Sequence, residues 1–392
     1  MDAIYKSKTN CDVPSAHAGE FAPLRLKGLE VWPPVVLAPM AGVTNYPFRK
    51  LCRRFGAGLY VSEMITARGL IEGDKKTHRL ANFGPDEDPR SLQLYGVEPK
   101  SLGEAARWLA SEGRVDHIDM NFGCPVRKVT SKGGGSAIPA KPKLLAKLVR
   151  AVVANAGDVP VTIKFRKGID ESLITYRDAG RVGQEEGCAA VGLHARTASQ
   201  LYDGSADWSA ITDLKSRLSI PVLGNGDIWE SHDALRMMRE TGCDGVIVGR
   251  GCLGRPWIFR DLVDVFDGRE PENPPTFGGS LDLLFEHTAL LCDWFGEYRG
   301  MLMARKFVSW YTKSFRGGAE LRGKLARVSS LDELRAGFAA VDRDQPFPPA
   351  GMRVKRGKRG GTQKVHLPHG YLDRLDDDTP PGRDAESADS GG

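Results

Sequence analysis

The sequence predicts an α/β chain: a (β/α)8 TIM barrel followed by a small all-α helical domain. Three observations predict it. Short β-rich runs recur eight times, helix-period segments separate most of them, and the alternation occupies roughly 240 residues, the size of a barrel of eight strands. The chain has 392 residues, 41% of them apolar, which is enough for one large core and a smaller unit beside it.

In order, the β-rich runs are Val35-Val36-Leu37-Ala38, Leu59-Tyr60-Val61-Ser62, Ser91-Leu92-Gln93-Leu94, His117-Ile118-Asp119-Met120, Val161-Thr162-Ile163-Lys164, Val191-Gly192-Leu193-His194, Val222-Leu223-Gly224-Asn225 and Gly245-Val246-Ile247-Val248. The clearest helix spans Lys143 to Val153, with Leu144, Leu145, Leu148, Val149 and Val152 on one face, and Asp233 to Arg239 is a shorter one. An open doubly wound sheet is the alternative with the same alternation. A barrel keeps its functional groups on the loops after its strands, and chemistry-bearing residues do fall there. Pro39 and Met40 follow the first run, Gln93 ends the third, and Asn121 with Cys124 follow the fourth. Lys164 and Arg166 end the fifth, His194 and Arg196 the sixth, Asn225-Gly226-Asp227 follows the seventh and Gly249-Arg250-Gly251 the eighth.

These signals divide the chain into an N-terminal extension (1–30), the barrel (31–270), a helical domain (277–350) and a tail (351–392). The first 30 residues lack a continuous apolar segment, and the run from Val31 to Val43 is broken by Pro33, Pro34 and Pro39, so neither a signal peptide nor a membrane span is expected. Seven cysteines lie scattered at 11, 52, 124, 188, 243, 252 and 292, without zinc-motif spacing or a disulfide framework. A reducing cytoplasm and no metal are the expectation.

Net charge is a modest +5, but it is unevenly spread. From Arg299 to Arg327 eight basic residues face one acidic residue, Glu320, with Phe307, Trp310, Tyr311 and Phe315 among them. Such a stripe can neutralise phosphates and offer rings to unstacked bases; for the rings, the core of an amphipathic helix is the favoured reading. The tail is basic at Arg353, Lys355, Arg356, Lys358, Arg359 and Lys364, then acidic at Asp376-Asp377-Asp378. Its composition predicts disorder after about residue 365.

Loops after strands seven and eight form the usual phosphate corner of this fold. Gly226, Gly249 and Gly251 let backbone N–H groups approach an anion, Arg250 adds charge-assisted bonds, and a monophosphate cofactor such as FMN fits. Lys132-Gly133-Gly134-Gly135-Ser136 lacks the spacing of a nucleotide loop and reads as a mobile loop beside Cys124. Lys164 suits the edge of a flavin that becomes anionic on reduction, although a lysine there could also snorkel to the surface. Gln93 and His194 supply further hydrogen-bonding groups.

Six ordered motifs then carry a resemblance: Ala38-Pro39-Met40-Ala41-Gly42-Val43-Thr44, Asn121-Phe122-Gly123-Cys124-Pro125, Lys132-Gly133-Gly134-Gly135, Leu193-His194-Ala195-Arg196-Thr197, Gly224-Asn225-Gly226-Asp227-Ile228 and Gly249-Arg250-Gly251. Over about residues 25 to 340 the chain resembles the tRNA-dihydrouridine synthases. Tyr202-Asp203-Gly204-Ser205-Ala206-Asp207-Trp208 and Arg305-Lys306-Phe307-Val308-Ser309-Trp310-Tyr311 point to the bacterial DusB branch. The resemblance implies an FMN-bearing barrel and a helical tRNA-binding domain, with NADPH as the reductant and the C5–C6 double bond of selected tRNA uridines as the group reduced. It also implies that Ala38, Pro39, Met40, Gln93, Lys164, His194, Asn225, Gly226, Asp227, Gly249 and Arg250 contact FMN. Asn121 and Arg166 would hold the uridine, and Cys124 would donate the proton. Asn45-Tyr46 departs from the Asp-Arg more often found there. A monomer is expected.

The chemistry accounts for the thiol. Hydride arriving at C6 of uracil leaves enolate character at C5 and O4, so an acid must protonate C5 from the opposite face. A cysteine with an ordinary pKa of about 8.5 is protonated at neutral pH and can serve. Two other readings compete. Dihydroorotate dehydrogenases are FMN barrels with a similar Asn-x-x-Cys-Pro element, but they leave the basic stripe and the Leu193 to Thr197 motif unexplained. A non-catalytic tRNA-binding scaffold leaves Cys124, Lys164 and the phosphate corner without a purpose.

Overall fold

The computed structural model describes residues 6–56, 58–357 and 360–386. Eight parallel strands close into a barrel: β1 Val35–Leu37, β2 Leu59–Thr66, β3 Ser91–Tyr95, β4 His117–Phe122, β5 Val161–Arg166, β6 Ala190–His194, β7 Val222–Asn225 and β8 Gly245–Val248. They neighbour one another in chain order and β8 pairs back onto β1, so the open-sheet alternative is excluded. Both faces of such strands are covered, which explains their short, nearly continuous apolar runs.

Around the barrel lie α1 Tyr46–Arg54, α2 Pro99–Ser111, α3 Pro142–Val153, α4 Tyr176–Glu185, α5 Trp208–Arg217, α6 Ser231–Thr241 and α7 Ile258–Phe266. Local chemistry sets their ends. Asn45 caps α1, its Oδ1 accepting from Phe48 N at 3.2 Å. Glu230 and Asp233 form a capping box on α6, which stops at Gly242 with φ 69°. The face predicted for α3 is its buried face, Leu144, Leu145, Leu148, Val149 and Val152.

The barrel interior is divided. Val36, Ala38, Leu59, Val61, Ala190, Leu223 and Ile247 form an apolar cluster that also takes in Leu24, Leu26 and Val31. Those last three belong to an antiparallel hairpin, Leu24–Leu26 with Leu29–Val31, contributed by the stretch before the barrel. On β3 to β5 the buried polar groups Ser91, Gln93, His117, Asp119 and Thr162 are joined by hydrogen bonds instead.

After the barrel come α8 Phe277–Phe295, α9 Glu297–Thr312, α10 Gly318–Leu325 and α11 Leu331–Ala336. The aromatics of the basic stripe are core: Phe307, Trp310, Tyr311 and Phe315 are all buried, with Phe277 stacked on Phe315 at 4.3 Å and Phe307 on Trp310 at 4.4 Å. Arg299, Lys306, Arg316, Lys324 and Arg327 stay exposed. Tyr46 lies against Trp294 at 4.5 Å, its hydroxyl donating to Asp86 Oδ1, and Phe48 lies against His287 at 5.3 Å. Asn45-Tyr46 therefore helps seat the helical domain on the barrel.

In its described residues the tail departs from the expected disorder. Arg353 pairs with the buried Glu230 and Asp233, and the buried Arg356 donates to Trp310 O at 2.9 Å. Tyr371 is buried, Lys141 pairs with Asp377 at 2.9 Å, and Glu386 Oε1 accepts from Val97 N and Glu98 N at 2.8 and 3.0 Å. A few specific anchors, each satisfying a backbone group or burying a charge pair, hold a segment whose average composition is polar. Lys358 and Arg359 lie outside the described residues. Among the described residues no helix is long and apolar enough to cross a membrane.

Candidate active site at the barrel mouth

Strand alternation places the site. On β4, His117, Asp119 and Asn121 share the inward face, and on β5 Thr162, Lys164 and Arg166 do the same beside them. Asn121, Lys164 and Arg166 lie within their strands, because β4 runs on to Phe122 and β5 to Arg166. Asn121 thus points into the barrel and its loop begins at Gly123.

Asn121 organises that loop. Its Oδ1 accepts from Gly123 N at 3.1 Å and Cys124 N at 3.0 Å, and its Nδ2 donates to Gln93 Oε1 at 3.1 Å. Arg166 ties the same loop to the next one: Nε donates to Gly123 O at 3.0 Å, and Nη1 to Thr197 O and Leu201 O, both at 2.9 Å. Burial, ahead of its charged neighbours, pulls the Arg166 guanidinium down to about 10, and it remains a cation at neutral pH. Cys124 itself is half-buried and free of disulfide.

The glycine-rich segment is not the mobile loop its composition suggests. Gly135–Ala140 form a buried 3-10 turn, with Ser136 N donating to Cys124 O at 3.0 Å. A Cβ on Gly134 would sit 2.2 Å from Tyr95 Oη, and one on Gly135, where φ is 54°, would sit 2.6 Å from Cys124 O. Glycine is required there because the backbone approaches the Cys124 loop closely.

Lys164 is half-buried and donates to Asn225 Oδ1 at 2.8 Å, while Asn225 Nδ2 donates to Ile247 O at 2.8 Å. Burial, with Arg166 nearby, lowers the ammonium to about 8, so it stays charged at neutral pH. Burial, with Arg166, Lys164, Arg196 and Arg250 around it, drives His194 well below its ordinary value, so this imidazole is neutral. Arg250 lies over the Tyr202 ring at 4.6 Å and the Trp229 ring at 5.2 Å.

Asp227 takes the left-handed conformation at φ 59° and turns its carboxylate away to Arg196 Nη2 (2.7 and 2.8 Å) and Ala206 N (2.7 Å). That leaves backbone, not the Asp227 side chain, for any anion at this corner. Gly226 has φ 134°, and a Cβ there would meet Ala206 Cβ at 2.6 Å. At β1, Ala38 N donates to Val248 O at 2.9 Å and Met40 N to Thr44 Oγ1 at 3.0 Å; Pro39 joins them, and Gly249 follows β8 next door. Lys164, Arg166, Arg196 and Arg250 converge with two acids among them, Asp227 paired to Arg196 and Asp119 beside Lys164. This excess of positive charge fits a phosphate and a ring that becomes anionic on reduction.

Sequence reasoning passed over three residues here. Glu63 accepts from Gly42 N at 2.7 Å and holds the β1 loop, Tyr95 wedges the glycine turn, and Asp119 anchors Gln93. A signal existed for Asp119, since it stands two residues before Asn121 and must share its face. Glu63 and Tyr95 lie on β2 and β3 with no motif around them.

Fold and site together define a (β/α)8-barrel enzyme with a thiol and a cationic, anion-ready mouth. Residues 36–344 match the family described as Dihydrouridine synthase (Dus). The chain is 51% identical over 373 residues to a probable tRNA-dihydrouridine synthase of Mycobacterium tuberculosis (strain CDC 1551 / Oshkosh), covering 92% of this chain and 96% of that one. It is 41% identical over 301 residues to tRNA-dihydrouridine synthase B of Xanthomonas axonopodis pv. citri (strain 306), covering 76% and 90%. Among solved structures it is similar to histamine dehydrogenase from Rhizobium sp. 4-9 at 13% identity and a TM-score of 0.48, covering 83% of this chain and 65% of that one. The chain belongs to the dihydrouridine synthase family, and it is an oxidoreductase.

Proposed function

We propose that this enzyme reduces the C5–C6 double bond of uridines in tRNA to give 5,6-dihydrouridine, with FMN as its cofactor, NADPH as the reductant and Cys124 as the proton donor. The reading is supported by family membership, by relatives whose names specify tRNA-dihydrouridine synthesis, and above all by Cys124, held by Asn121 at the rim of a cationic mouth. FMN would be held by Ala38, Pro39, Met40, Gln93, Lys164, His194, Asn225, Gly226, Asp227, Gly249 and Arg250. Bound there and reduced by NADPH, it would supply hydride to C6 of the uracil ring.

The chain's own residues do the rest. Cys124 Sγ–H gives its proton to C5 as charge builds there. Asn121 and Arg166 fix the loop that carries Cys124 and orient the base. Neutral His194 offers a donor and an acceptor without adding charge. The target base is stacked in folded tRNA and has to be extruded, at a cost of a few kcal/mol. Contacts from the exposed Arg299, Lys306, Arg316, Lys324 and Arg327 would offset that cost and make binding salt-dependent. The barrel (31–270) is the catalytic unit and 277–350 the tRNA-binding unit in this scheme, which operates as a cytoplasmic monomer.

The test is a single turnover on tRNA lacking dihydrouridine. Wild-type protein loaded with FMN and reduced by NADPH forms product. Cys124→Ala binds FMN and oxidises NADPH normally but loses at least about a hundredfold in product formation, the usual size of a general-acid contribution. Full product from Cys124→Ala would remove the assignment.

A further inference from the structure

We propose that Asp119 is a positioning residue for uridine reduction, acting as the terminal hydrogen-bond acceptor that sets the orientation of Gln93, then Asn121, and through it the backbone of Cys124. This rests on the reaction proposed above. The site residues already described leave Asp119 outside the reaction, buried in the barrel below them with 5% of its surface exposed.

Its hydrogen bonds have only one consistent direction. Thr162 Oγ1 donates to Oδ1 at 2.7 Å, and Gln93 Nε2 donates to Oδ2 at 2.8 Å. Burial raises the Asp119 carboxyl to about 6, against the pull of its hydrogen bonds and Lys164, so it is ionised at neutral pH and can only accept; the Gln93 amide then presents its nitrogen to Asp119 and its oxygen to Asn121. Asn121 then has to present Nδ2 to Gln93 (3.1 Å) and keep Oδ1 for Gly123 N and Cys124 N (3.1 and 3.0 Å). The two amides are held from both ends: the backbone N–H groups of Gly123 and Cys124 require Oδ1 of Asn121, the carboxylate requires Nε2 of Gln93, and only one arrangement satisfies both.

The chain of bonds also extends to the other side of Asp119. Thr162 commits its single hydroxyl hydrogen to Asp119, so His117 Nε2, 3.0 Å from that hydroxyl, must be the donor, and its Nδ1 accepts from Ser91 Oγ at 2.7 Å. Burial keeps His117 neutral, pulled down to about 3. Every bond in the network therefore runs toward Asp119. Without an acceptor at this position, a turned Gln93 would turn Asn121, which would then oppose its own N–H donors to those of Gly123 and Cys124. Both loop bonds would be lost and the thiol would leave its place.

Asparagine at 119 can replace the acceptor. Its Oδ1 can face Gln93 while its Nδ2 donates to Thr162, provided that Thr162 and His117 reverse their bonds, which the neutral imidazole allows by exchanging tautomers. An acceptor role thus predicts that Asp119→Asn works and Asp119→Ala fails, whereas a role for the negative charge toward neighbouring Lys164 predicts that both fail.

The experiment uses full-length, FMN-loaded protein and two readouts: the half-reactions, and alkylation of Cys124 by iodoacetamide, followed on its own peptide by mass spectrometry. In Asp119→Ala, NADPH-driven bleaching should fall by no more than about tenfold, since Gln93 and Lys164 beside it also face the flavin site, while kcat for dihydrouridine formation falls at least about a hundredfold with little change in KM for tRNA, and the Cys124 alkylation rate changes at least about threefold. In Asp119→Asn, all three quantities should stay within about fivefold of wild type, with alkylation unchanged. Wild-type kcat in Asp119→Ala would overturn the proposal, as would Asp119→Asn failing like Asp119→Ala, or bleaching and product formation falling together. A wild-type protein that bleaches with NADPH yet forms no dihydrouridine would instead overturn the reaction itself, and the proposal with it.

Discussion

Lys164 shows how one residue's environment sets a testable pH dependence. Its folded-state pKa is lowered to about 8, chiefly by burial, so the ammonium is charged at pH 7 and loses its charge as the pH rises through that value. A hydrogen bond to a charged group contributes about 1.5–3 kcal/mol, or roughly tenfold or more in affinity. FMN affinity, followed by flavin fluorescence, should therefore fall about tenfold as pH rises from 7 to 9, and Lys164→Met should bind weakly and without that dependence. An unchanged slope in Lys164→Met would assign the titration to another group. The position of Gln93, Asn121, Cys124, Lys164 and His194 at the barrel mouth was legible in the sequence because they stand at the ends of apolar runs. The bonding of Asp119 was not, because its spacing from Asn121 fixes its face but carries no sign that both of its oxygens are occupied. The turning of Asp227 toward Arg196 was likewise hidden, since it depends on the left-handed backbone at that position.

At the scale of elements, the turn from Gly133 to Ala140 and the tail that overlies it act together. Tyr371 Oη donates to the turn at Gly133 O or Ala137 O, each 3.3 Å away, Lys132 Nζ donates to Asp384 O at 2.7 Å, and Tyr95 Oη donates to Ala385 O at 3.0 Å. Composition alone misjudged both segments, for one physical reason. Average polarity measures how much apolar surface is available to bury, and it is blind to a few backbone-directed hydrogen bonds or to glycines that permit close approach. Gly134→Ala would drive a methyl group into Tyr95 Oη. Such overpacking costs about 1–3 kcal/mol, so the variant should melt several degrees lower and lose product formation more than NADPH oxidation. A thermal melt and the two half-reactions check this. Helices and strands with strong periodicity were read well, as α3 shows; the hairpin beneath the barrel was missed because three-residue strands carry almost no pattern.

On the scale of the whole molecule, the barrel and the helical unit share a packed boundary. Tyr46 against Trp294 and Phe48 against His287 join them, so deleting the helices would bare apolar surface on the barrel and confuse loss of binding with loss of fold. Reversing exposed charges avoids this. Arg299→Glu, Lys306→Glu and Arg327→Glu together should leave the melting temperature and NADPH oxidation near wild type, and should weaken tRNA binding at least about tenfold with a shallower salt dependence. Binding titrations at two salt concentrations check this. The barrel and the helical unit were readable because alternation and the basic stripe extend over long stretches, whereas their mutual packing comes from single aromatic residues far apart in the chain.

The most direct test of the central claim is to map dihydrouridine in tRNA from cells lacking this gene, before and after adding the purified FMN-loaded enzyme with NADPH. The account predicts that defined positions lack dihydrouridine and regain it with the wild-type enzyme but not with Cys124→Ala. If the added wild-type enzyme bleaches with NADPH yet forms dihydrouridine at no position of that tRNA, the account is contradicted.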